Sequence, residues 1–185
     1  MRRRLIFWLL LGCLTLWGPA QAEVSSTMEN WKRIDSRYCT IWVHPAVGVK
    51  QVNKKISTWR VRPKVKAVPK GDSVSDELAG KCDTLFRRAQ EILDMYPAGI
   101  QVTIKILKER SEIKGAHSAH YGFGTKAIAF YAYEENTIYA EADDLSESVL
   151  VHEMAHCIID HYFRMRPPRK IEEMLATHVD AQLRA

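Results

Sequence analysis

The sequence predicts an α+β domain with a small mixed sheet. Two stretches, 38–45 and 100–107, alternate apolar and other residues as strands do. The stretches 74–96 and 169–183 instead repeat apolar residues at the period of a helix. Strand and helix patterns alternate along the chain without an internal repeat, so a single mixed domain is the expected architecture.

The first 22 residues have the pattern of a secretory signal peptide. Arg2, Arg3 and Arg4 precede an apolar run, and "AQA", ending at Ala22, is a small-x-small cleavage pattern. The run is too short for a stable membrane span. A lipoprotein signal with Cys13 lipidated is the weaker alternative. We therefore expect a secreted or periplasmic protein with one domain over residues 23–185.

The net charge gives no indication of a nucleic-acid partner. Without the leader, 24 Lys and Arg stand against 22 Asp and Glu, which leaves a net charge of only +2. The expected partner is a peptide or protein, with no nucleic acid. The sequence does not indicate the oligomeric state.

Three cysteines remain after removal of the leader, and their odd number leaves at least one without a partner in the chain. Cys39 lies in a predicted strand and Cys82 in a predicted helix. The two could be bridged if that helix packs on that strand, and export to an oxidising compartment favours a Cys39–Cys82 disulfide. Cys157 lies in an apolar run and is predicted to be a small buried side chain.

The first half of the predicted domain contains a strand, a basic ribbon and a helix. The strand is "YCTIWVHP" (38–45), and an acid-free stretch, 36–71, begins close by. Within it, residues 58–70 alternate basic and apolar side chains as an extended ribbon does. A solvated edge strand is the favoured interpretation, and a strip that binds polyanions is the alternative. The helix covers 74–96, with Ser73 or Ser75 as its cap.

The middle of the chain predicts three strands and a loop. "IQVTIKIL" (100–107) alternates as a strand, and residues 126–141 predict two strands joined at "EEN". Between them, "KGAHSAHYGFG" (114–124) is predicted to be a glycine-containing loop with two histidines.

The motif "HEMAH" (152–156) lies in a predicted helix. Asp144 and Glu147 predict a capping box at its start, and Pro167 ends the helical pattern. His152 and His156 are four residues apart, so both imidazoles project from one face and can reach one metal ion. Glu153 can then reach a water held by that ion.

A second helix, 169–183, follows a double proline and has Ile171, Leu175, Val179 and Leu183 on one side. The metzincin spacing is absent, because Ile159 and Tyr162 stand where glycine and histidine are required. A carboxylate from Glu172 or Glu173 would instead complete a site of two histidines and one glutamate, with a fourth position open for water.

The segments "TIYAEADDLSESVLVHEMAHCII" and "PPRKIEEMLATHVD" resemble the gluzincin metallopeptidases, in the small secreted form often called peptidase MA-like. The resemblance implies a zincin-like fold with an HExxH active-site helix and a following glutamate-bearing helix. It also implies a Zn²⁺ cofactor and peptide hydrolysis. Pro168, Ile171 and Ala176 match the spacing of the corresponding residues in the family's pattern. Met174 and Thr177 depart from the usual residues.

Two arguments about which glutamate is the third ligand conflict. On a helical wheel, Glu172 lies closer to the apolar stripe of the last helix, which favours Glu172 as the inward-facing residue. The family register places the third ligand on Glu173. We expect Glu173, because faces assigned within a helix's first turn are unreliable by a residue or two.

The resemblance implies that Glu153 serves as the proton acceptor in metal-assisted hydrolysis. Four residues are open as stabilisers of the oxyanion, namely His117, His120, Tyr162 and His178. Asp160 or Asp180 could support the zinc-binding histidines.

"AIAFYAY" or "NTIYAE" should border the cleft, where an extended substrate could add as a strand. The alternative function is a catalytically silent, zinc-holding binding module of the cell envelope. Glu153 argues against it, because a purely structural zinc site has no need for a base.

Overall fold

A computed structural model describes residues 30–59, 61 and 72–183. The predicted signal peptide and nearly all of the predicted basic ribbon lie outside these residues. The described chain confirms the α+β class. It contains five α-helices and one mixed sheet of five strands.

The strands of the sheet are β1 (Lys32–Asp35), β2 (Cys39–Val43), β3 (Val102–Leu107), β4 (Ala129–Ala132) and β5 (Thr137–Glu141). Their order across the sheet is β1-β2-β3-β5-β4. The three central strands are parallel, and the two edge strands are antiparallel to their neighbours. Of the two segments expected to border a cleft, "AIAFYAY" therefore supplies an edge strand and "NTIYAE" an interior one.

The helices are α1 (Val49–Lys55), α2 (Val74–Leu93), α3 (Arg110–Tyr121), α4 (Glu147–Tyr162) and α5 (Arg169–Gln182). The main core lies between one face of the sheet and the helices α2, α4 and α5. A smaller core lies between the other face and α3. In the described part of the chain, no helix combines the length and the apolar character needed to cross a membrane.

Helix α2 begins as predicted at Ser73. The side chains of Ser73 and Asp76 each accept a hydrogen bond from the other residue's backbone N–H, which satisfies two of the unpaired donors of the first turn. The helix ends at Leu93, three residues earlier than predicted, because Asp94 adopts a left-handed conformation with φ 53°.

The prediction of a loop over 114–124 is wrong, because most of this segment belongs to α3. At its start, the Glu112 carboxylate accepts hydrogen bonds from the backbone N–H groups of Lys108 and Glu109, at 2.9 and 2.8 Å. Gly115 lies inside the helix and Gly122 ends it with φ 76°, a conformation that glycine adopts without steric cost.

The start of α4 also differs from the prediction. Ser146 is the N-cap and accepts a hydrogen bond from the N–H of Val149. Asp144 does not cap the helix, since its carboxylate pairs with the Arg110 guanidinium instead. The helix ends at Tyr162, before the double proline, and α5 begins directly after it. The sequence patterns missed β1, which buries only Ile34, and the seven-residue α1.

The predicted Cys39–Cys82 disulfide is not present. Helix α2 does pack on β2 as expected, but Cys39 and Cys82 are free, buried thiols. Burial raises the pKa of Cys82 to about 12 and that of Cys39 well above its usual value, so both remain protonated and poorly reactive. Cys157 is buried, as predicted.

Asp83 of α2 binds the turn between β1 and β2 through three hydrogen bonds. Its carboxylate accepts hydrogen bonds from the Ser36 hydroxyl at 2.7 Å and from the backbone N–H groups of Arg37 and Tyr38 at 3.1 and 3.0 Å. Asp83 is itself buried. Replacing it would therefore leave two backbone donors without a partner in a water-poor environment.

We predict that Asp83→Ala lowers the free energy of unfolding by about 2 to 4 kcal/mol, measured by urea denaturation. The matched control is Asp35→Ala, which removes an exposed carboxylate paired with Arg33. That variant should lose no more than about 1 kcal/mol. Equal losses in the two variants would contradict the role given to Asp83.

Candidate metal site

Helix α4 directs three side chains of the HEMAH motif into one cleft. Its buried positions include Leu150, Met154 and Ile158, which pack into the main core. His152, Glu153 and His156 are only partly buried and lie within an arc of about 100° around the helix axis. The apolar side of the helix therefore fixes which way the polar side faces.

The side chains of His152, His156 and Glu173 converge on one point and form the His–His–Glu triad. The two Nε2 atoms are 3.3 Å apart, and Glu173 Oε2 lies 3.6 Å from His152 Nε2 and 3.7 Å from His156 Nε2. In a tetrahedral site with Zn–N and Zn–O bonds of about 2.0 to 2.1 Å, ligand atoms lie about 3.3 to 3.4 Å apart, and the three separations are within about 0.4 Å of that spacing. The donor set and its spacing both fit a tetrahedral zinc ion with one position open to the cleft.

The two adjacent glutamates of α5 face different surroundings. The side chain of Glu173 is 45% exposed and faces the histidines, whereas that of Glu172 is 4% exposed. Glu172 accepts two hydrogen bonds from Arg166, at 2.5 Å from Nε and 3.1 Å from Nη2. The helical wheel was therefore right that Glu172 faces inward. The inward position is occupied by an ion pair, and Glu173 is the residue beside the histidines.

His156 is held in the form that binds a metal. Burial, followed by the neighbouring His152, lowers the pKa of His156 to about 4. The imidazole is therefore neutral near pH 7, and a neutral nitrogen has a lone pair to donate.

Glu153 has the environment of a proton acceptor. Burial raises the pKa of its carboxyl to about 7, and the nearby charge of Glu173 also raises it, while a hydrogen bond from the backbone N–H of Tyr131 lowers it. A carboxylate with a pKa near neutrality can both take and release a proton at physiological pH.

The cleft has a volume of about 610 Å³ and contains the whole site. It is lined by the triad and Glu153, by Ala129 and Tyr131 of the edge strand β4, and by residues at the end of α3.

Of the four open oxyanion stabilisers, His117 alone lines this cleft. His178 is exposed and lines another surface groove along α5, which shares Glu173 with the cleft, and Tyr162 is half-exposed next to Phe163. The ring of His120 is directed toward Tyr139 and Glu135. Tyr162 and His120 thus have other neighbours, and His178 shares a groove with one residue of the triad.

The expected support of the histidines by an aspartate is not found. Asp160 accepts a hydrogen bond at 3.1 Å from the hydroxyl of Tyr131, and Asp180 accepts one from Ser148. Both aspartates therefore have other partners. Each hydrogen bond joins α4 to a neighbouring element instead, namely β4 for Asp160 and α5 for Asp180.

Sequence reasoning missed Tyr131 and Arg166 as parts of the site. Tyr131 donates its backbone N–H to Glu153 and its hydroxyl to Asp160, so one residue holds two turns of α4. Arg166 holds Glu172 and also lies 4.2 Å from the centroid of the Tyr133 ring. Neither contact follows a sequence spacing, because each joins separate parts of the fold.

Comparisons with protein-family models, with curated proteins and with solved structures found no match. The arrangement of the side chains in the cleft is therefore the basis on which a function is argued.

We predict that Glu173→Gln lowers zinc affinity by at least about a hundredfold, because it replaces the anionic carboxylate of the triad with a neutral amide, a much weaker ligand. Zinc competition titration at neutral pH would measure the affinity. The matched control is Glu172→Gln, which should retain zinc within roughly tenfold of wild type but lower the free energy of unfolding by about 1 to 3 kcal/mol through its lost ion pair. The reverse ranking of affinities would move the ligand to Glu172.

Proposed function

We propose that this protein is a zinc-dependent metallopeptidase of the gluzincin type with a zincin-like fold. The observation that carries the proposal is the convergence of the His–His–Glu triad and Glu153 in one cleft beside an edge strand. Three nitrogen and oxygen donors, an open fourth position and an adjacent carboxylate are the parts of a catalytic zinc site.

The cellular location belongs to the same proposal. The leader pattern at residues 1–22 supports a secreted or periplasmic enzyme. The substrate would then be a peptide or protein of that compartment.

Zinc, when bound by His152, His156 and Glu173, would polarise the carbonyl of the cleaved peptide bond and lower the pKa of the attacking water. The triad residues would hold the ion within the cleft. The neutral imidazole of His156 needs to lose no proton before it binds.

Glu153 moves the proton in the proposed reaction. Its carboxylate takes a proton from the attacking water and passes it to the nitrogen of the leaving amine. The hydrogen bond from the Tyr131 N–H fixes one side of the carboxylate, which leaves the other side to face the reacting atoms.

The edge strand β4 supports a peptide as the substrate. Its outer edge borders the cleft, and an extended peptide can add to such an edge through backbone hydrogen bonds. This mode of binding would place a peptide bond alongside Glu153 whatever the substrate's side chains are.

The second candidate is a catalytically silent module that binds zinc in the cell envelope. The same triad supports it, since zinc binding alone requires no base. The position of Glu153 in the cleft favours the peptidase, and the two experiments below separate the two functions.

We predict that the purified protein hydrolyses denatured casein, that a chelator abolishes this activity, and that one equivalent of Zn²⁺ restores it. Mg²⁺ should not restore it, because imidazole nitrogens suit zinc and magnesium prefers oxygen ligands. Release of labelled fragments would measure the rate. Hydrolysis that persists in the chelator would contradict a zinc mechanism.

We predict that Glu153→Gln keeps one zinc per chain but loses at least about a hundredfold in kcat, because the amide cannot accept the proton. Zinc content by elemental analysis and casein hydrolysis are the two measurements. The control is Glu109→Gln, a change at an exposed side chain at the start of α3. Wild-type rates in Glu153→Gln, or zinc-loaded wild type without any activity, would favour the silent module.

A further inference from the structure

The cleft that contains the His–His–Glu triad also has an aromatic wall, formed by His117, Tyr121, Phe123 and Phe130. The ring of His117 is central to it, with centroids 4.7 Å from Tyr121, 5.1 Å from Phe123 and 5.0 Å from Phe130. All four rings line the same cleft as the triad. The wall is therefore part of the surface that a bound substrate would face.

The wall is fixed in place and yet exposed. Nδ1 of His117 lies 2.7 Å from the carbonyl oxygen of Phe123, and because a carbonyl only accepts, this nitrogen carries the proton and donates. Within the wall, Phe130 is buried, whereas Phe123 is 62% exposed. A large aromatic ring is thus held at the mouth of the cleft, where a ligand could cover it.

The orientation of β4 determines which substrate side chains meet the wall. The backbone N–H of Glu141 donates a hydrogen bond to the carbonyl of Ile128, so the backbone groups of Ile128 face β5. Backbone groups alternate in direction along a strand, and those of Ala129 and Tyr131 therefore point away from β5, toward the cleft. Both groups of Tyr131 are already used, the N–H by Glu153 and the carbonyl by the Tyr121 hydroxyl at 3.4 Å. An extended peptide can therefore pair with Ala129, and its pairing ends at Tyr131, beside the base.

Side chains of a paired peptide follow the alternation of β4. Ala129 and Tyr131 face the main core and α4, while Phe130 faces α3 and the aromatic wall. A peptide residue opposite Ala129 points toward the α4 side, and its neighbour opposite Phe130 points toward the wall. The peptide residue opposite Phe130 lies between the position opposite Ala129 and the position opposite Tyr131, whose N–H bonds Glu153. It is therefore adjacent to the bond that is cleaved.

We propose that the aromatic wall is a specificity subsite for a large apolar side chain, preferably an aromatic one, adjacent to the cleaved bond. This proposal rests on the proposed peptidase function. Aromatic rings around a half-exposed phenylalanine favour another ring through offset and edge-to-face contacts and through apolar burial. An acidic or small side chain would leave the Phe123 ring in water.

The test uses the zinc-loaded full chain and a peptide library made by tryptic digestion of a whole-cell protein extract. Cleavage sites are read by mass spectrometry. We expect Phe, Tyr, Trp, Leu or Met to be enriched at one position next to the cleaved bond. For a matched pair of peptides with Phe or Ala at that position, Phe123→Ala should reduce the kcat/KM ratio by roughly tenfold.

Two further variants make the result specific. Phe123→Leu should retain most of the preference for large apolar residues while losing part of that for aromatic ones. Tyr96→Ala removes a ring of similar exposure, 58%, that lies in a different surface depression, so the preference should stay as in wild type. Phe123→Ala changes an exposed side chain and is compatible with the native fold.

The outcomes separate the subsite from the reaction. Cleavage without an apolar preference next to the bond, or a preference that Phe123→Ala leaves unchanged, would overturn the subsite while the peptidase stands. Absence of any cleavage by the zinc-loaded wild type would overturn the peptidase and the subsite together.

Discussion

The site depends on the burial of one side of α4. Leu150, Val151, Met154, Ala155 and Ile158 are all within 1% of full burial, and each large side chain of this kind stabilises the fold by about 1.5 to 3 kcal/mol on transfer from water. A rotation of the helix would expose these side chains. The apolar contacts therefore fix the direction of His152 and His156, which have no comparable stabilisation of their own.

The edge strand and the helix are held together by Tyr131. Its backbone N–H reaches Glu153, and its hydroxyl reaches Asp160 seven residues farther along α4 and also Asn136 at 3.2 Å. The hydroxyl is buried with these acceptors, and burial raises the pKa of Tyr131 far above its usual value. The hydroxyl thus remains a donor at any physiological pH. Tyr131 consequently holds the strand close to the proposed base through both its backbone and its side chain.

The ion pair of Arg166 and Glu172 holds α5 in place, as Tyr131 does for α4. A carboxylate as buried as Glu172 requires a partner, and the guanidinium supplies two donors in the geometry that a carboxylate prefers. The pair ties the first turn of α5 to the segment that leads into it from α4. Since adjacent residues of a helix differ by about 100° in direction, fixing Glu172 inward turns Glu173 toward the histidines.

The sequence by itself determined the elements whose signal is local. Alternation predicted β2, β3 and the β4–β5 pair, helical periodicity predicted α2 and α5, and the spacing of His152 and His156 predicted that both imidazoles share a face. These features follow from backbone geometry within a few residues, so they need no knowledge of the rest of the chain. Local patterns failed where the signal was weak, as at β1 and α1, or where glycine within the segment suggested a loop, as at α3.

Only the tertiary structure placed Glu173 rather than Glu172 near the histidines, placed Tyr131 beside Glu153, and brought the aromatic wall to the cleft. It also showed Cys39 and Cys82 as free thiols. These features depend on contacts between residues that are far apart in the chain. In the case of the two glutamates, the outcome depends on which of them pairs with Arg166. The inward-facing position in the first turn of α5 is occupied by Glu172, whose charge is paired with that of Arg166. A buried charge is stable only beside a partner of opposite charge, and the fold decides whether such a partner lies there.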